Sequence, residues 1–212
     1  SVIQLYNKPM TQPQAHDSRA SFHRAPADER RLELIAACAR TLARKGAHGT
    51  SVREICAEAG VSPGLLRHYF AGIDDLVAET YRQTGQRVQA ALDTAVAQAP
   101  DNPRARLLAY LTASFAPTIA DGELLSTWLA FWSLKRTDAA IAKLHDEIYA
   151  ENRRALERLL QDYAPGQDHR LTAVALTALV DGLWLELSLG DAPFAAQEAG
   201  HLAERWLDGL IR

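Results

Sequence analysis

The chain has little of what marks several large classes of protein. Its 212 residues include only two cysteines, Cys38 and Cys56. Both lie in apolar stretches with helical spacing, which favours buried, reduced thiols over a disulfide framework or an exposed redox switch. No apolar run approaches the roughly 18–20 residues of a membrane span, and no signal-peptide segment opens the sequence. We therefore expect a soluble cytoplasmic protein with no membrane partner.

Sequence patterns of common enzymes and metal sites are also missing. The chain has no Gly-x-Ser-x-Gly turn, no glycine-rich phosphate loop and no paired-cysteine or His-Glu-x-x-His spacing. The seven histidines are scattered. His145 and Tyr149 would share one helix face, but a single histidine is weak evidence for a metal ligand. We predict no enzymatic activity, no metal and no cofactor.

An excess of positive charge is absent from the chain as a whole, which has a formal net charge of −3. The two parts of the chain differ, however. Residues 1–70 carry ten Lys or Arg and six Asp or Glu, a net charge of +4, whereas residues 71–212 carry thirteen and twenty, a net charge of −7. Because phosphate binding requires positive charge, nucleic acid is a candidate partner for the N-terminal part alone.

The stretch 50–70 predicts two short helices joined by a tight turn. Ser51 and Ser62 are candidate N-caps, Gly60 supplies the turn, and Pro63 suits the first position of the second helix. That second helix is too short and too polar to exist for core packing alone. Two helices joined at a steep angle by a glycine-containing turn are typical of the helix-turn-helix unit, whose second helix enters the DNA major groove. An unrelated helical hairpin is the alternative.

These residues resemble the DNA-binding signature of the TetR family of one-component repressors. The resemblance rests on Ser51, on the run AGVS at 59–62, on HYF at 68–70 and on the acidic pair before leucine at 74–76. It implies a TetR-like architecture, with a three-helix DNA-binding domain followed by a helical domain for ligand binding and dimerisation.

Helical periodicity along the rest of the chain agrees with an all-α protein of nine helices and no convincing strand. We divide the chain into a flexible N-terminal arm (1–26), a helix-turn-helix domain (27–71, the head) and a ligand-binding and dimerisation domain (72–212, the body). No flexible linker separates head from body, so the two can be coupled mechanically. The predicted helices outside the helix-turn-helix cover residues 28–45, 72–98, 123–135, 138–163, 169–189 and 194–211, with one more around 107–115.

The N-terminal arm is polar and broken by prolines, which favours a solvated tail. Arg19, His23 and Arg24 could alternatively reach DNA phosphates or the minor groove.

Four residues of the head are expected to contact DNA phosphates. Ser51 and Ser62 would do so together with the backbone N–H groups at the two helix starts. His68 and Tyr69 match the family motif, and the resemblance implies mainly phosphate contacts for both.

The groove-facing set is expected to be Pro63, Gly64, Leu65 and Arg67. Arg67 can donate two hydrogen bonds to a guanine, and Leu65 can contact a thymine methyl group. The chain departs from the family pattern at two positions. Ile73 stands where lysine is usual, and Arg67 stands where an aromatic residue is frequent. We therefore expect an operator that differs from those of close relatives.

Two segments of the body resemble the C-terminal domain of BetI-like repressors, the choline-responsive branch of the family. They are FWS at 131–133 and DGLW at 181–184. The resemblance implies a small-molecule effector bound among the body helices. Aromatic faces attract a desolvated cation by about 0.5–2 kcal/mol each, which would suit a quaternary ammonium. The candidate ligand-binding residues are Tyr110, Trp128, Phe131, Trp132, Tyr149, Asp181 and Trp184.

The alternative for these residues is an ordinary aromatic core with Asp181 hydrogen-bonded at a dimer seam. Glu186 is a second acid in the same apolar helix and could also face a cationic ligand, since a buried acid is costly unless paired.

The last two predicted helices are more apolar than a small body needs. The resemblance implies that they pair with a second copy of the chain, whereas the alternative is an internal core. A two-fold dimer suits a pseudo-palindromic operator with half-sites about 34–36 Å apart. The sequence therefore predicts a dimeric repressor of double-stranded DNA that a small molecule releases. A ligand-independent DNA-binding regulator or activator is the alternative.

Overall fold

The computed structural model describes residues 27–210, which form nine α-helices and, over that range, no strand. The all-α, nine-helix architecture is thereby confirmed, while the N-terminal arm with Arg19, His23 and Arg24 lies outside the described residues. The helices are α1 (Ala27–Gly49), α2 (Val52–Ala59), α3 (Pro63–Tyr69), α4 (Ile73–Gln98), α5 (Pro103–Ala113), α6 (Gly122–Leu134), α7 (Ala139–Tyr163), α8 (Arg170–Ser188) and α9 (Ala196–Leu210).

Local capping chemistry sets the ends of the two helices of the helix-turn-helix. The Ser51 hydroxyl accepts the Glu54 N–H at 3.3 Å, and the Ser62 hydroxyl accepts the Leu65 N–H at 3.3 Å. Gly60 ends α2 with a φ of 64°, a left-handed conformation that favours glycine. Both predicted N-caps and the predicted turn are therefore confirmed.

The end of α1 is less simple than expected. Gly46 has a non-helical backbone (φ 65°, ψ 179°), but one further turn follows as far as Gly49. The Thr50 hydroxyl donates to the Gly46 carbonyl at 2.8 Å and closes this turn. Gly46 therefore kinks the helix where it was predicted to end it.

The long helix α1 belongs to both parts of the molecule. It packs against α2 and α4, and its packing against α6 is the most extensive between any two helices of the described range. The Thr127 hydroxyl of α6 donates to the Ala39 carbonyl at 3.1 Å as well as to the Glu123 carbonyl of its own helix at 2.8 Å. The head is therefore fixed on the body through α1.

The body is built around α4, which crosses α7 at close range. Gly85 makes this crossing possible, since a Cβ atom at that position would lie 3.0 Å from Cδ1 of Ile148. Tyr81, one turn earlier on α4, is fully buried.

The last two helices leave large apolar side chains in solvent. Leu171 of α8 and Leu189, which directly follows α8, are 64% and 66% exposed, and Trp206 of α9 is 51% exposed. With a mean hydropathy of 1.4, α8 is long and apolar enough to cross a membrane by length and composition, the one such helix within residues 27–210. The expectation that no run would reach this length was therefore wrong. The finding is weak evidence for a membrane, because a helix that packs against another protein surface passes the same test.

Candidate DNA-binding face and effector cavity

The recognition helix α3 is anchored on one side and open on the other. Leu66 and the residue that follows the helix, Phe70, are buried at 0% and 3% exposure. The exposed residues are Ser62, Pro63, Gly64, Arg67 and His68, whereas Leu65 and Tyr69 are half-buried. The predicted groove-facing set thus lies on or beside the open face, with Leu65 the least accessible of the four.

Aromatic contacts hold the C-terminal end of α3. The rings of His68 and Tyr69 meet edge to face with centroids 5.0 Å apart, and Tyr69 also packs against the core. The Arg31 guanidinium of α1 lies over the Phe70 ring, 5.2 Å from its centroid. Tyr69 is therefore held partly in the core, and its predicted phosphate contact stays a prediction.

Ion pairs within the head occupy much of its positive charge. The Arg40 Nε donates to the Glu58 Oε1 at 2.6 Å, and Arg44 binds the other oxygen of the same carboxylate. Lys45 pairs with Glu54. Hydrogen bonds from Arg40 hold the pKa of the Glu58 carboxyl below its usual range, and Lys45 does the same for Glu54. A charge count by sequence therefore overstates what the head can offer to phosphate.

Two other arginines are far more available. Arg53, on α2, has 90% of its side chain exposed and makes only a 3.5 Å contact with Glu54. Arg67 is exposed, and no hydrogen bond or salt bridge joins it to another side chain in the described part of the chain. Arg53 was not predicted as a DNA contact, and its position two residues after the N-cap Ser51, in the first turn of α2, was the available signal.

A cavity of about 50 Å³ lies in the body between α4, α5, α6, α7 and α8. Five of the seven predicted ligand-binding residues line it, together with nine that the sequence did not single out. The five are Tyr110, Trp128, Tyr149, Asp181 and Trp184, and the others are Val88, Leu92, Leu111, Ser114, Asn152, Leu156, Leu176, Thr177 and Val180.

The other two predicted residues do not line the cavity. Phe131 is fully buried and stacks on Tyr81, with ring centroids 4.1 Å apart. Trp132 is half-buried and reaches the site only through its indole N–H, which donates to the Tyr149 hydroxyl at 2.9 Å. Glu186 is exposed on α8 and lies outside the lining. Periodicity placed these residues on the correct helices but could not fix how each helix is rotated.

The Tyr149 hydroxyl is the polar centre of the cavity. It accepts the Trp128 indole N–H at 3.3 Å and the Trp132 indole N–H at 2.9 Å, and it donates to Asp181 Oδ1 at 3.1 Å. Burial raises the pKa of the Asp181 carboxyl to about 6, although the hydrogen bond from Tyr149 and the charge of Arg153 oppose this shift. The cavity therefore holds a carboxyl group that is mostly ionised near neutral pH.

Comparison with known proteins assigns both parts of the chain. Residues 34–80 match the model of bacterial regulatory proteins of the tetR family, and residues 103–212 match that of the BetI-type transcriptional repressor C-terminal domain. The chain is a TetR-family transcriptional regulator with a BetI-type C-terminal domain. A BetI regulator of Burkholderia thailandensis is 35% identical over 185 residues, which cover 86% of this chain and 93% of that protein.

Solved structures agree with the assignment. A proposed transcriptional regulator of Pseudomonas aeruginosa PAO1 is 42% identical to this TetR-family regulator, with a TM-score of 0.82 and coverage of 90% of this chain and 94% of that one. A regulator of Saccharomonospora viridis, solved in complex with choline, is 21% identical with a TM-score of 0.73 and coverage of 85% and 96%, which shows the shared fold. The relatives are named as regulators and not as enzymes, so the predicted lack of enzymatic activity is confirmed.

One pair of buried groups in this regulator was not predicted from the sequence. The Tyr81 hydroxyl of α4 lies 2.9 Å from Nδ1 of His145 on α7. The pair stands beside the cavity without lining it. Since 64 residues separate the two along the chain, no local pattern could have predicted their contact.

Proposed function

We propose that this TetR-family regulator is a dimeric cytoplasmic repressor. It binds a pseudo-palindromic operator through α3 and releases it when a small cationic effector, such as a quaternary ammonium, occupies the body cavity. The observation that carries the proposal is the acid at the centre of an aromatic cavity, Asp181 beside Tyr149, Trp128 and Trp184.

The charge of Asp181 favours a cationic occupant. No lysine or arginine forms a salt bridge with this carboxylate in the described part of the chain, so its charge is not matched by a direct ion pair. Trp128 and Trp184 add aromatic surface, their ring centroids lying 5.6 Å apart in an edge-to-face arrangement. Each aromatic face contributes about 0.5–2 kcal/mol to a desolvated cation.

The size of the cavity links binding to movement. A volume of about 50 Å³ holds only a few water-sized groups. An effector that needs more room than this would displace the surrounding side chains or helices, and it would then bind a different conformation better than the one described here. Such differential affinity is what shifts a population between two states, typically with a coupling of about 1–3 kcal/mol.

The exposed apolar faces of α8 and α9 support the dimer. Leu171, Leu189 and Trp206 are too exposed to stabilise the single chain, and burial of apolar surface contributes about 25 cal/mol per Å². A two-fold pair of chains would carry two α3 helices, which matches the symmetry of a palindromic operator.

One observation favours a second candidate. Because the cavity is small, the alternative is a DNA-binding regulator or activator that responds to no ligand. The two candidates differ in whether any cation changes DNA occupancy.

The deciding experiment is footprinting of the purified protein on DNA upstream of its own gene, with and without choline. Choline is the first probe because a structural neighbour was solved with it. We expect a symmetric footprint that choline removes, with a parallel change in tryptophan fluorescence from Trp128 and Trp184. A footprint that no cation alters would support the ligand-independent candidate. Release by anionic or apolar compounds alone would contradict the cationic effector.

The dimer is tested by sedimentation equilibrium of Leu189→Glu. We expect this change at the end of α8 to shift the protein towards monomer and to weaken operator binding. The matched control is Leu32→Glu on α1, where the side chain is 53% exposed but lies away from α8 and α9. Equal effects of the two changes, or a wild-type monomer, would contradict the proposed interface.

A further inference from the structure

Tyr81 lies in the N-terminal part of α4, the helix that connects the body to the head. It is fully buried on α4, its ring stacks on Phe131 at 4.1 Å, and it meets the edge of Trp128 with centroids 5.5 Å apart. Its hydroxyl makes one hydrogen bond in the described part of the chain, to Nδ1 of His145 at 2.9 Å. The ring contacts are therefore ordinary core packing, whereas the hydroxyl makes a single specific connection between α4 and α7.

The other side of this connection leads into the cavity. The His145 ring stacks on Tyr149 with centroids 4.1 Å apart and an interplanar angle of 17°. Tyr149 lines the cavity and donates to Asp181 on α8. Four side chains, from Asp181 through Tyr149 and His145 to Tyr81, thus form an unbroken series of contacts from the cavity to α4.

Both partners of the Tyr81–His145 hydrogen bond are neutral under ordinary conditions. Burial lowers the pKa of the His145 imidazole to about 4 and raises the pKa of the Tyr81 phenol. A neutral imidazole with its proton on Nε2 can accept the phenol proton at Nδ1. The bond is therefore sensitive to displacement of either ring rather than to changes of pH near neutrality.

The N-terminal part of α4 is bonded to the head. Glu79, two residues before Tyr81, pairs with Arg31 of α1 at 3.1 Å. Arg31 also lies over the Phe70 ring at the end of α3. A movement of α4 at Tyr81 is thus transmitted to the two helices that position the DNA-binding face.

The crossing at Gly85 limits how α4 and α7 can move. Because Ile148 already lies at contact distance there, the helices cannot approach further, and a well-packed interior does not compress. Displacement of α7 by a cavity occupant must therefore shift or rotate α4 about this point.

We propose that Tyr81 and His145 are the positioning residues that transmit occupancy of the cavity to the DNA-binding head. The inference rests on the proposed function, since it requires an effector that binds beside Tyr149. The occupant displaces Tyr149, the stacked His145 ring moves with it, and the hydrogen bond to Tyr81 carries the movement to α4.

The test is Tyr81→Phe in the full-length dimer, which keeps the ring and removes only the hydroxyl. Three quantities are measured: the operator affinity without choline, the choline affinity from tryptophan fluorescence, and the factor by which saturating choline lowers the operator affinity. We expect the first two to stay within about twofold of wild type and the third to fall by about fivefold, the usual worth of one buried hydrogen bond. A merely structural residue would change stability or the first two quantities, not the third alone.

Two further variants keep the result interpretable. Thr84→Val is the matched control, because the Thr84 hydroxyl donates to the Thr80 carbonyl of its own helix at 2.7 Å and should leave the choline effect unchanged. His145→Phe removes the acceptor and keeps the stack, and the double variant with Tyr81→Phe should lose no more than either single change, since both remove one bond.

The outcomes separate this inference from the function on which it rests. A wild-type protein that no cation, choline included, releases from DNA contradicts the proposed function, and with it the inference, before any variant is made. If wild type responds but Tyr81→Phe keeps the full choline effect, the inference alone is wrong. Additive losses in the double variant would likewise overturn it.

Discussion

The head and the body hold their candidate functional side chains in opposite ways. On α3 the residues that face outward, above all Arg67, are exposed and bonded to no other side chain within the described range. In the body, Tyr149 alone joins Trp128, Trp132 and Asp181 by hydrogen bonds. In the proposed function, recognition of DNA would depend on isolated surface groups, whereas recognition of an effector would depend on groups that also make up the core.

This difference separates function from stability in one part of the molecule and not in the other. Exposed side chains away from caps and ion pairs usually alter stability by less than about 0.5 kcal/mol when substituted. Substitution of buried side chains that are bonded to one another alters function and stability together, because the same atoms pack the interior. We therefore expect that substitutions at the surface of the head can change operator preference alone, and that a change of effector preference requires repacking of the body.

The largest expected effect is loss of stability in Trp128→Ala. Trp128 is 2% exposed, and removal of a buried tryptophan costs about 3–5 kcal/mol. Urea denaturation measures this cost, with Arg67→Ala as the surface counterpart expected to alter stability by less than about 0.5 kcal/mol. Comparable losses of unfolding free energy in both variants would show that the head and the body do not differ in how far their functional side chains contribute to stability.

The second effect concerns the affinity for DNA. Arg67→Ala should weaken operator binding by about 1–3 kcal/mol and relax the preference at one base pair. Arg53→Ala is the comparison, because a phosphate contact weakens binding to all sequences alike. Binding titrations with single-base operator variants distinguish the two patterns. Uniform weakening by Arg67→Ala would make it a phosphate contact instead.

The third effect is a pH dependence of effector binding that only the body should show. Because the pKa of Asp181 is raised to about 6, its carboxylate form, which attracts a cation, fills as pH rises through that value. Choline affinity should therefore increase about tenfold between pH 5 and pH 7.5, and Asp181→Asn should remove the increase. If the increase in choline affinity persists in that variant, another group titrates. His145 is not that group, because its pKa of about 4 lies below the range from pH 5 to pH 7.5.

The same shift has a consequence for stability. The folded-state pKa of Asp181 exceeds its ordinary value of 3.8, so the folded protein binds more protons between that value and about pH 6. The contribution of Asp181 to the free energy of unfolding must then decrease as pH rises across this interval. Denaturation of wild type and Asp181→Asn at pH 4.5 and pH 7 measures the difference.

The smallest expected effect concerns the core of the head, which should be as inaccessible to reagents as its DNA-binding face is exposed. Cys38 and Cys56 are both buried, and burial raises the pKa of the Cys38 thiol to about 11. A thiol reagent at pH 8 should therefore label neither cysteine in the folded protein and leave operator binding unchanged, since the thiolate is the reactive form. Rapid labelling of the folded protein, followed by mass spectrometry, would show that the core of the head opens more readily than its packing suggests.

Local chemistry explains why the helix-turn-helix could be predicted from the sequence. An N-cap such as Ser62 and a left-handed turn such as Gly60 act within three or four residues, so their pattern is visible in the chain. The Glu54 carboxylate shows the limit of this reasoning. Glu54 stands three residues after Ser51, which is the spacing of a capping box, but in the fold its carboxylate pairs with Lys45 on another helix.

Contacts between distant segments explain what the sequence could not predict in the body. Trp128, Tyr149 and Trp184 were chosen as cavity residues from the resemblance and from the affinity of aromatic faces for cations. Neither could show that Phe131 turns towards Tyr81. The packing of α1 against α6 was missed for a related reason. Both helices have apolar faces, but periodicity does not say which faces meet.

The hydrogen bond from Thr127 to the Ala39 carbonyl joins α6 to α1, and this contact has a consequence for exchanging DNA-binding domains between proteins. A regulator assembled from this body and a foreign DNA-binding domain would inherit an α6 surface shaped for this particular α1. Such a hybrid would need matching substitutions along α6 before ligand binding in the body could change its affinity for the operator. A segment exchanged with another protein would therefore have to include the matching surfaces of α1 and α6 as well as the helix-turn-helix.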